Sequence, residues 1–145
     1  MKKLLLSAFA LAAIYSTSNA QILSEDFSTG IPATWATNNG DGLTASTGLD
    51  NSYGAGAAAA WTTSAWLAFN SGVIASTSWY TPAASADDWI ATPGVLITAE
   101  SYIIWDSYAP DATYNDGYEV RVSTVGQSPM TTANYSNLIY TNPGD

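Results

Sequence analysis

The sequence predicts an all-β fold from its composition, its alternating apolar pattern and its closely spaced turns. Residues after position 20 are rich in Ala, Thr, Ser, Gly, Trp and Tyr and poor in the helix formers Lys, Glu and Arg. Aromatic residues make up 12% of the chain, which argues against disorder because disordered segments are poor in them. Short strand-like runs separated by turns that contain Asn, Asp and Gly favour a β-sandwich of the jelly-roll type.

The first 20 residues predict a secretory signal peptide that is removed before folding. Lys2 and Lys3 form a basic start, residues 4–14 are apolar, and Ser18-Asn19-Ala20 has the small residues of a cleavage site. The apolar run spans about a dozen residues, whereas ~20 are needed to cross a bilayer. We therefore expect one exported domain over residues 21–145, secreted or held at the cell surface, without membrane insertion.

Strand-like runs follow one another along the rest of the chain. The clearest is 118–123, where apolar and polar side chains alternate as in a half-buried antiparallel strand. The other predicted strands are 22–27, 61–70, 77–80, 89–91, 95–98, 102–108 and 138–140. Turns are expected at 38–42, 70–72, 82–88 and 115–117. The tryptophans are expected in the core because each buries a large apolar area.

The charge balance and two missing residue types narrow the function. After residue 20, Arg121 is the one strong base against twelve carboxylates, a net charge of about −11. Such a surface repels nucleic-acid phosphates and anionic membranes. The chain has no His and no Cys, which excludes imidazole catalysis, thiol chemistry and disulfides. We therefore predict that the chain is not an enzyme by itself and does not bind nucleic acid.

A series of short motifs, each weak alone, occurs in a specific order between about residues 23 and 124. The motifs are Leu23-x-Glu25-Asp26-Phe27, Gly30-Ile31-Pro32-x-x-Trp35, Ser78-Trp79-Tyr80, Ala86-Asp87-Asp88-Trp89, Thr92-Pro93 and Asp116-Gly117-Tyr118. Together they resemble the cleaved-adhesin, or choice-of-anchor J, family of secreted bacterial modules. The resemblance implies a MAM-like jelly roll with structural calcium, usually part of a larger adhesin or peptidase. It also implies that the last strands and further domains lie downstream of residue 145.

Paired carboxylates are the candidate metal ligands. Calcium takes about six to eight oxygen ligands, which carboxylates near strand ends and backbone carbonyls can supply. The resemblance places calcium near the Glu25-Asp26 pair, and we predict Glu25, Asp26 and Asp88 as ligands. Some of these acids could instead close turns or lie in solvent. For Asp41, a role in the 38–42 turn is expected rather than a calcium loop.

Acids and tyrosines are interleaved in the loop before the 118–123 strand. We predict a ligand site formed by Asp111, Tyr114 and Asp116, in which the aromatic ring would stack on a sugar and the carboxylates would accept hydrogen bonds from its hydroxyl groups. The same residues would also suit a second metal site. The alternative is a solvated loop without a ligand, because turns favour Asp and Asn.

These expectations combine into a secreted, calcium-stabilised module that binds an extracellular protein or glycan. The alternative is an accessory domain of an exported peptidase or glycosidase whose catalytic part is not in this chain. A third possibility is a structural stalk of a surface protein.

Overall fold

The computed structural model describes residues 21–44, 61–64, 72–109 and 113–144. These ranges contain six β-strands and no helix, which confirms the all-β prediction for this part of the chain. The strands are β1 (Ala36–Asn39), β2 (Thr62–Ser64), β3 (Val73–Ala75), β4 (Asp88–Ala91), β5 (Tyr118–Val122) and β6 (Asn137–Asn142). They form three two-stranded antiparallel sheets, β1–β4, β2–β3 and β5–β6.

The β1–β4 sheet carries the buried core. Its register places Ala36 opposite Ala91. Ala91 is buried together with Met130 and Tyr135, and Ala36 and Trp89 pack against this group. The rings of Trp89 and Tyr135 lie 5.5 Å apart, a tilted contact that adds to the energy of burial. The core therefore joins β4 to the loop that precedes β6.

Gln127 ties this core to the segments next to β1 and β4. Its Nε2 atom donates to the carbonyl oxygens of Thr34, at 2.9 Å, and of Thr92, at 2.8 Å. The carbonyl oxygen of Gln127 accepts a hydrogen bond from the Tyr135 hydroxyl at 2.9 Å. These bonds satisfy backbone carbonyls around the core that would be costly to leave unpaired.

The β5–β6 ribbon holds a separate aromatic cluster. The ring of Tyr140 lies 5.3 Å from that of Trp105 and 5.6 Å from that of Tyr118. Trp105 Nε1 also donates to the Tyr118 hydroxyl at 3.2 Å. The pairing of the two strands is irregular between Val120 and Arg121. The cluster anchors the segment around Trp105 on the ribbon.

Part of the strand prediction is confirmed. The runs at 89–91, 118–123 and 138–140 correspond to β4, β5 and β6, and β2 lies in the predicted 61–70 run. Residues 65–70 of that run lie outside the described residues.

Other strand predictions are wrong. No strand forms over 22–27, 95–98 or 102–108. In the segment 77–80 a single residue, Tyr80, forms an isolated β-bridge. Phe27, at the end of the first run, has a φ of 53°, which turns the backbone out of an extended course. The strands β1 and β3 were not predicted. β1 ends in the Asn-rich sequence for which a turn was expected, and β3 directly follows the turn that was expected at 70–72.

The predicted signal peptide, residues 1–20, lies outside the described residues, as do Trp66 and Asp111. In the part of the chain that the structure describes, no helix could cross a membrane.

Candidate functional site

Tyr80 and Asp88 form a largely buried polar contact at the start of β4. Tyr80 is only 6% exposed. Its hydroxyl donates to Asp88 Oδ2 at 3.1 Å, and Ser76 Oγ donates to the same oxygen at 2.9 Å. Burial raises the pKa of Tyr80, and the negative charge of Asp88 raises it further. Tyr80 therefore remains a neutral hydrogen-bond donor at physiological pH.

The two carboxylate oxygens of Asp88 differ in their hydrogen bonds. Asp88 Oδ1 is buried and has no hydrogen-bond partner among the described residues. Burial raises the pKa of Asp88, and the nearby charges of Asp41 and Asp87 act in the same direction. Hydrogen bonds from Ser76 and Tyr80 oppose this rise. Because an unpaired buried oxygen is unfavourable when charged, this position is suited to a proton or a cation.

The loop after β1 places Asp41 close to the start of β4. Asp41 Oδ1 accepts a hydrogen bond from Leu43 N, and its Oδ2 accepts one from Asp87 N, both at 2.7 Å. Gly40 N donates to Asp87 O at 2.8 Å. A Cβ atom on residue 40 would lie 2.7 Å from that oxygen, so the close approach requires glycine. The predicted turn role of Asp41 is confirmed, and the charges of Asp41 and Asp87 both act on Asp88.

Glu25 and Asp26, the other predicted calcium ligands, close local turns. Glu25 Oε1 accepts a hydrogen bond from Phe27 N at 2.7 Å, and Asp26 Oδ1 accepts one from Ser28 N at 2.9 Å. The bond from the Ser28 backbone lowers the pKa of Asp26. Both carboxylates are therefore held in place by the backbone that follows them.

The structure does not bring the three predicted ligands together. Within residues 21–44, 61–64, 72–109 and 113–144, no three acidic side chains converge closely enough to define a metal site. Asp88 belongs to the network with Ser76 and Tyr80, whereas Glu25 and Asp26 bond within their own segment. The Asp26 backbone does approach β3, because a Cβ atom on Gly72 would lie 2.7 Å from Asp26 O.

Asp116, a predicted ligand-binding residue, joins two loops. Its carboxylate accepts two hydrogen bonds from Ser78, one from the backbone N at 3.2 Å and one from the hydroxyl. Tyr114, two residues earlier, is 78% exposed. Asp111, the third predicted residue, lies outside the described residues. Tyr114 is thus an exposed residue two positions before a carboxylate that Ser78 holds in place.

Trp79 is a surface residue that the sequence interpretation assigned to the core, and that assignment is wrong. The residue is 57% exposed and follows Ser78, which is bound to Asp116. Tyr80 is buried instead. In an extended segment neighbouring side chains point to opposite sides, so one aromatic of the Trp79-Tyr80 pair is expected outside. The sequence contains no signal that decides which of the two it is.

A scan against protein-family models finds no match for this chain, and searches of the curated proteins and of the solved structures also find none.

Proposed function

We propose that the chain is a secreted or cell-surface adhesion module, stabilised by calcium, which binds an extracellular protein or glycan and is not an enzyme by itself. The observation that carries this proposal is the exposure of two aromatic side chains, Trp79 and Tyr114, in two segments that the Ser78–Asp116 hydrogen bonds join. Aromatic residues are enriched in recognition surfaces, where they supply much of the binding energy.

The proposed architecture is a jelly roll of the cleaved-adhesin type. Support comes from the ordered motifs in the sequence and from the three antiparallel sheets. Further support comes from apolar side chains that remain exposed over residues 95–104 and at Leu138 and Ile139. A further strand or sheet would cover this apolar surface.

Calcium is the proposed structural ion, and Asp88 fits this role best. Its buried, unpaired oxygen is of the type that a hard cation prefers. Glu25 and Asp26 are proposed as ligands because the family resemblance places calcium near this pair, whose carboxylates are held by turns within their own segment. Bound calcium would neutralise part of the negative charge around Asp88, where Asp41 and Asp87 also lie.

Calcium titration of single variants tests each proposed ligand separately. We expect Asp26→Ala to weaken calcium binding, measured by isothermal titration calorimetry, while the calcium-free fold remains nearly unchanged. Glu100 is an exposed carboxylate in the turn closed by the hydrogen bond from Ser101 N to Thr98 O, so Glu100→Gln serves as the control for loss of one surface charge and should bind calcium as the parent does. Unaltered titration of Asp26→Ala would remove Asp26 from the site.

A binding screen tests the adhesion function. The purified protein is applied to immobilised extracellular-matrix proteins and to a glycan array, in millimolar CaCl₂ and in EDTA. We expect calcium-dependent binding to at least one ligand and a loss of that binding in Tyr114→Ala. A folded protein that binds nothing on either surface would contradict the proposal and favour a structural stalk.

A further inference from the structure

We propose that Tyr118 and Tyr140 form an oxidative cross-linking site, at which a carbon–carbon bond between the two rings braces the β5–β6 ribbon. The site goes beyond the adhesion function, and neither depends on the other. The chain has no Cys, so no disulfide within it can hold this ribbon. Because a two-stranded ribbon is only marginally stable by itself, a covalent link between its strands would add to its stability.

The two tyrosine rings meet across the ribbon. The register places Tyr118 opposite Asn142. Tyr140 lies opposite Val120, so the two tyrosines are diagonal neighbours on adjacent strands, a position from which aromatic side chains reach each other. The ring centroids lie 5.6 Å apart, with 41° between the ring planes. Because the χ2 angle of tyrosine varies over a broad range, small movements are enough to bring the ring carbons next to the hydroxyl groups together.

Neighbouring side chains hold this ring pair in place. Trp105 Nε1 donates to the Tyr118 hydroxyl at 3.2 Å, and Ser107 Oγ lies 2.7 Å from the same hydroxyl. The Trp105 ring also packs against the Tyr140 ring, with centroids 5.3 Å apart. Two reacting groups that are held side by side react with each other faster than with groups in solution.

Both phenols can be reached by an oxidant, and the environment of Tyr118 favours its oxidation. Tyr140 is 42% exposed and Tyr118 is half-buried. Burial acts to raise the pKa of Tyr118, but hydrogen bonds, that with Ser107 above all, outweigh burial and lower this pKa. A lower pKa increases the fraction of phenolate, which gives up an electron more readily than the neutral phenol does.

The oxidant in this reaction is hydrogen peroxide, used by a haem peroxidase. Each phenol loses one hydrogen atom, as an electron and a proton, and the two phenoxyl radicals join at ring carbons next to oxygen. The hydrogens of these two carbons move to the oxygens, which restores both phenols. Peroxide takes up the two electrons and two protons, its O–O bond breaks, and two water molecules are formed.

Arg121 gives the experiment a direct readout, because it lies between the two tyrosines and is the one strong base after residue 20. The purified protein is treated at low concentration with a haem peroxidase and hydrogen peroxide, and the monomer is isolated by size exclusion. It is then denatured and digested with trypsin, which cleaves after arginine and separates Tyr118 from Tyr140 unless a bond joins them. We expect dityrosine fluorescence and two fragments that stay joined on a denaturing gel.

Single variants test whether these two phenols form the bond. Tyr118→Phe and Tyr140→Phe each keep the ring but remove a phenol, so the fragments should separate in both. Tyr102→Phe is the matched control, because Tyr102 is an exposed tyrosine outside the pair, and its fragments should stay joined. Circular dichroism establishes that each variant is folded. Fragments that stay joined in either Tyr118→Phe or Tyr140→Phe, or that separate in the oxidised parent, would overturn the site.

Two further comparisons test whether the fold creates the site and whether the bond braces the ribbon. In urea the rings are no longer held together, so most of the cross-linking should be lost, and an equal yield in urea and in native buffer would contradict the proposal. The cross-linked monomer should melt about 5 °C or more above the untreated protein, because the bond restricts the unfolded chain. Oxidised Tyr140→Phe should show no such rise. An unchanged melting temperature of the cross-linked parent would overturn the bracing role.

Discussion

The β1–β4 core and the segment 95–104 contain similar apolar residues with opposite burial. In the core, Ala91, Met130 and Tyr135 are shielded from solvent, and Trp89 packs against them. In the segment, Leu96 is 83% and Ile104 79% exposed. The core has a paired strand and the Gln127 bonds around it, whereas no strand forms over 95–98 or 102–108. Apolar character alone therefore does not predict burial in this chain.

Removal of the Trp89 ring should have the largest effect on stability. Trp89 packs on the buried group and contacts the Tyr135 ring, so Trp89→Ala is expected to lower the free energy of unfolding by about 3 kcal/mol. Urea denaturation followed by circular dichroism measures this change. Trp79→Ala, at an exposed position, is the matched control and should change stability by less than about 0.5 kcal/mol. Similar losses in both variants would remove the contrast between the two tryptophans.

Gly40→Ala should have the next largest effect because it breaks the contact between the β1 end and β4. The new methyl group would meet the backbone of Asp87, and we expect a loss of about 2 kcal/mol in the free energy of unfolding. Gly94→Ala is the control, since nothing lies within 4 Å of a Cβ atom there. An unchanged denaturation midpoint for Gly40→Ala would show that residues 40 and 87 are further apart.

Tyr135→Phe should be milder, because the ring stays in the core and only the hydroxyl is lost. That hydroxyl donates to Gln127 O at 2.9 Å, and its removal is expected to cost about 1 kcal/mol. Chemical denaturation of this variant is compared with that of Tyr102→Phe, which alters an exposed tyrosine of the 95–104 segment. Equal stability of the two variants would contradict a structural role for the Tyr135 hydroxyl.

The titration of Asp88 should be visible as a pH dependence. Burial raises its folded-state pKa, so this residue favours folding below the unfolded pKa, and that contribution is lost as pH rises through the folded pKa. In calcium-free buffer, the stability of Asp88→Asn relative to the parent should therefore increase from pH 4 to pH 7. Denaturation at several pH values measures the difference, and a flat or falling difference would contradict the raised pKa.

Ile104→Ser should have the smallest effect of the series. Ile104 is already exposed, so its replacement is expected to change the free energy of unfolding by less than about 0.5 kcal/mol. A loss as large as that of Trp89→Ala would show that residues around 104 are covered in solution and that the two regions do not differ in packing.

The sequence predicts the fold class well and the individual strands less well. Strict alternation in 118–123 matches the period of a strand and identifies β5, and the short apolar run at 138–140 lies in β6. The run at 22–27 also alternates, but the Glu25 carboxylate bonds to Phe27 N and closes a turn instead. Alternation alone does not reveal whether a side chain competes for the backbone.

The candidate site could be predicted only in part. Asp88 and Asp116 are recognisable in the sequence as candidate carboxylates, but their partners Tyr80 and Ser78 are set by contacts between different segments. The inward position of Tyr80 and the outward position of Trp79 depend on the packing around Asp88. No local pattern encodes that choice, because both residues are large and aromatic.

The most direct test of the account is the melting temperature of the purified protein with and without calcium. At calcium concentrations about 100-fold above the dissociation constant, the account predicts a rise of roughly 8 °C over the EDTA-treated protein. Asp88→Asn should abolish most of this rise, and Glu100→Gln should retain it. An identical melting temperature in CaCl₂ and in EDTA would contradict calcium stabilisation of the module.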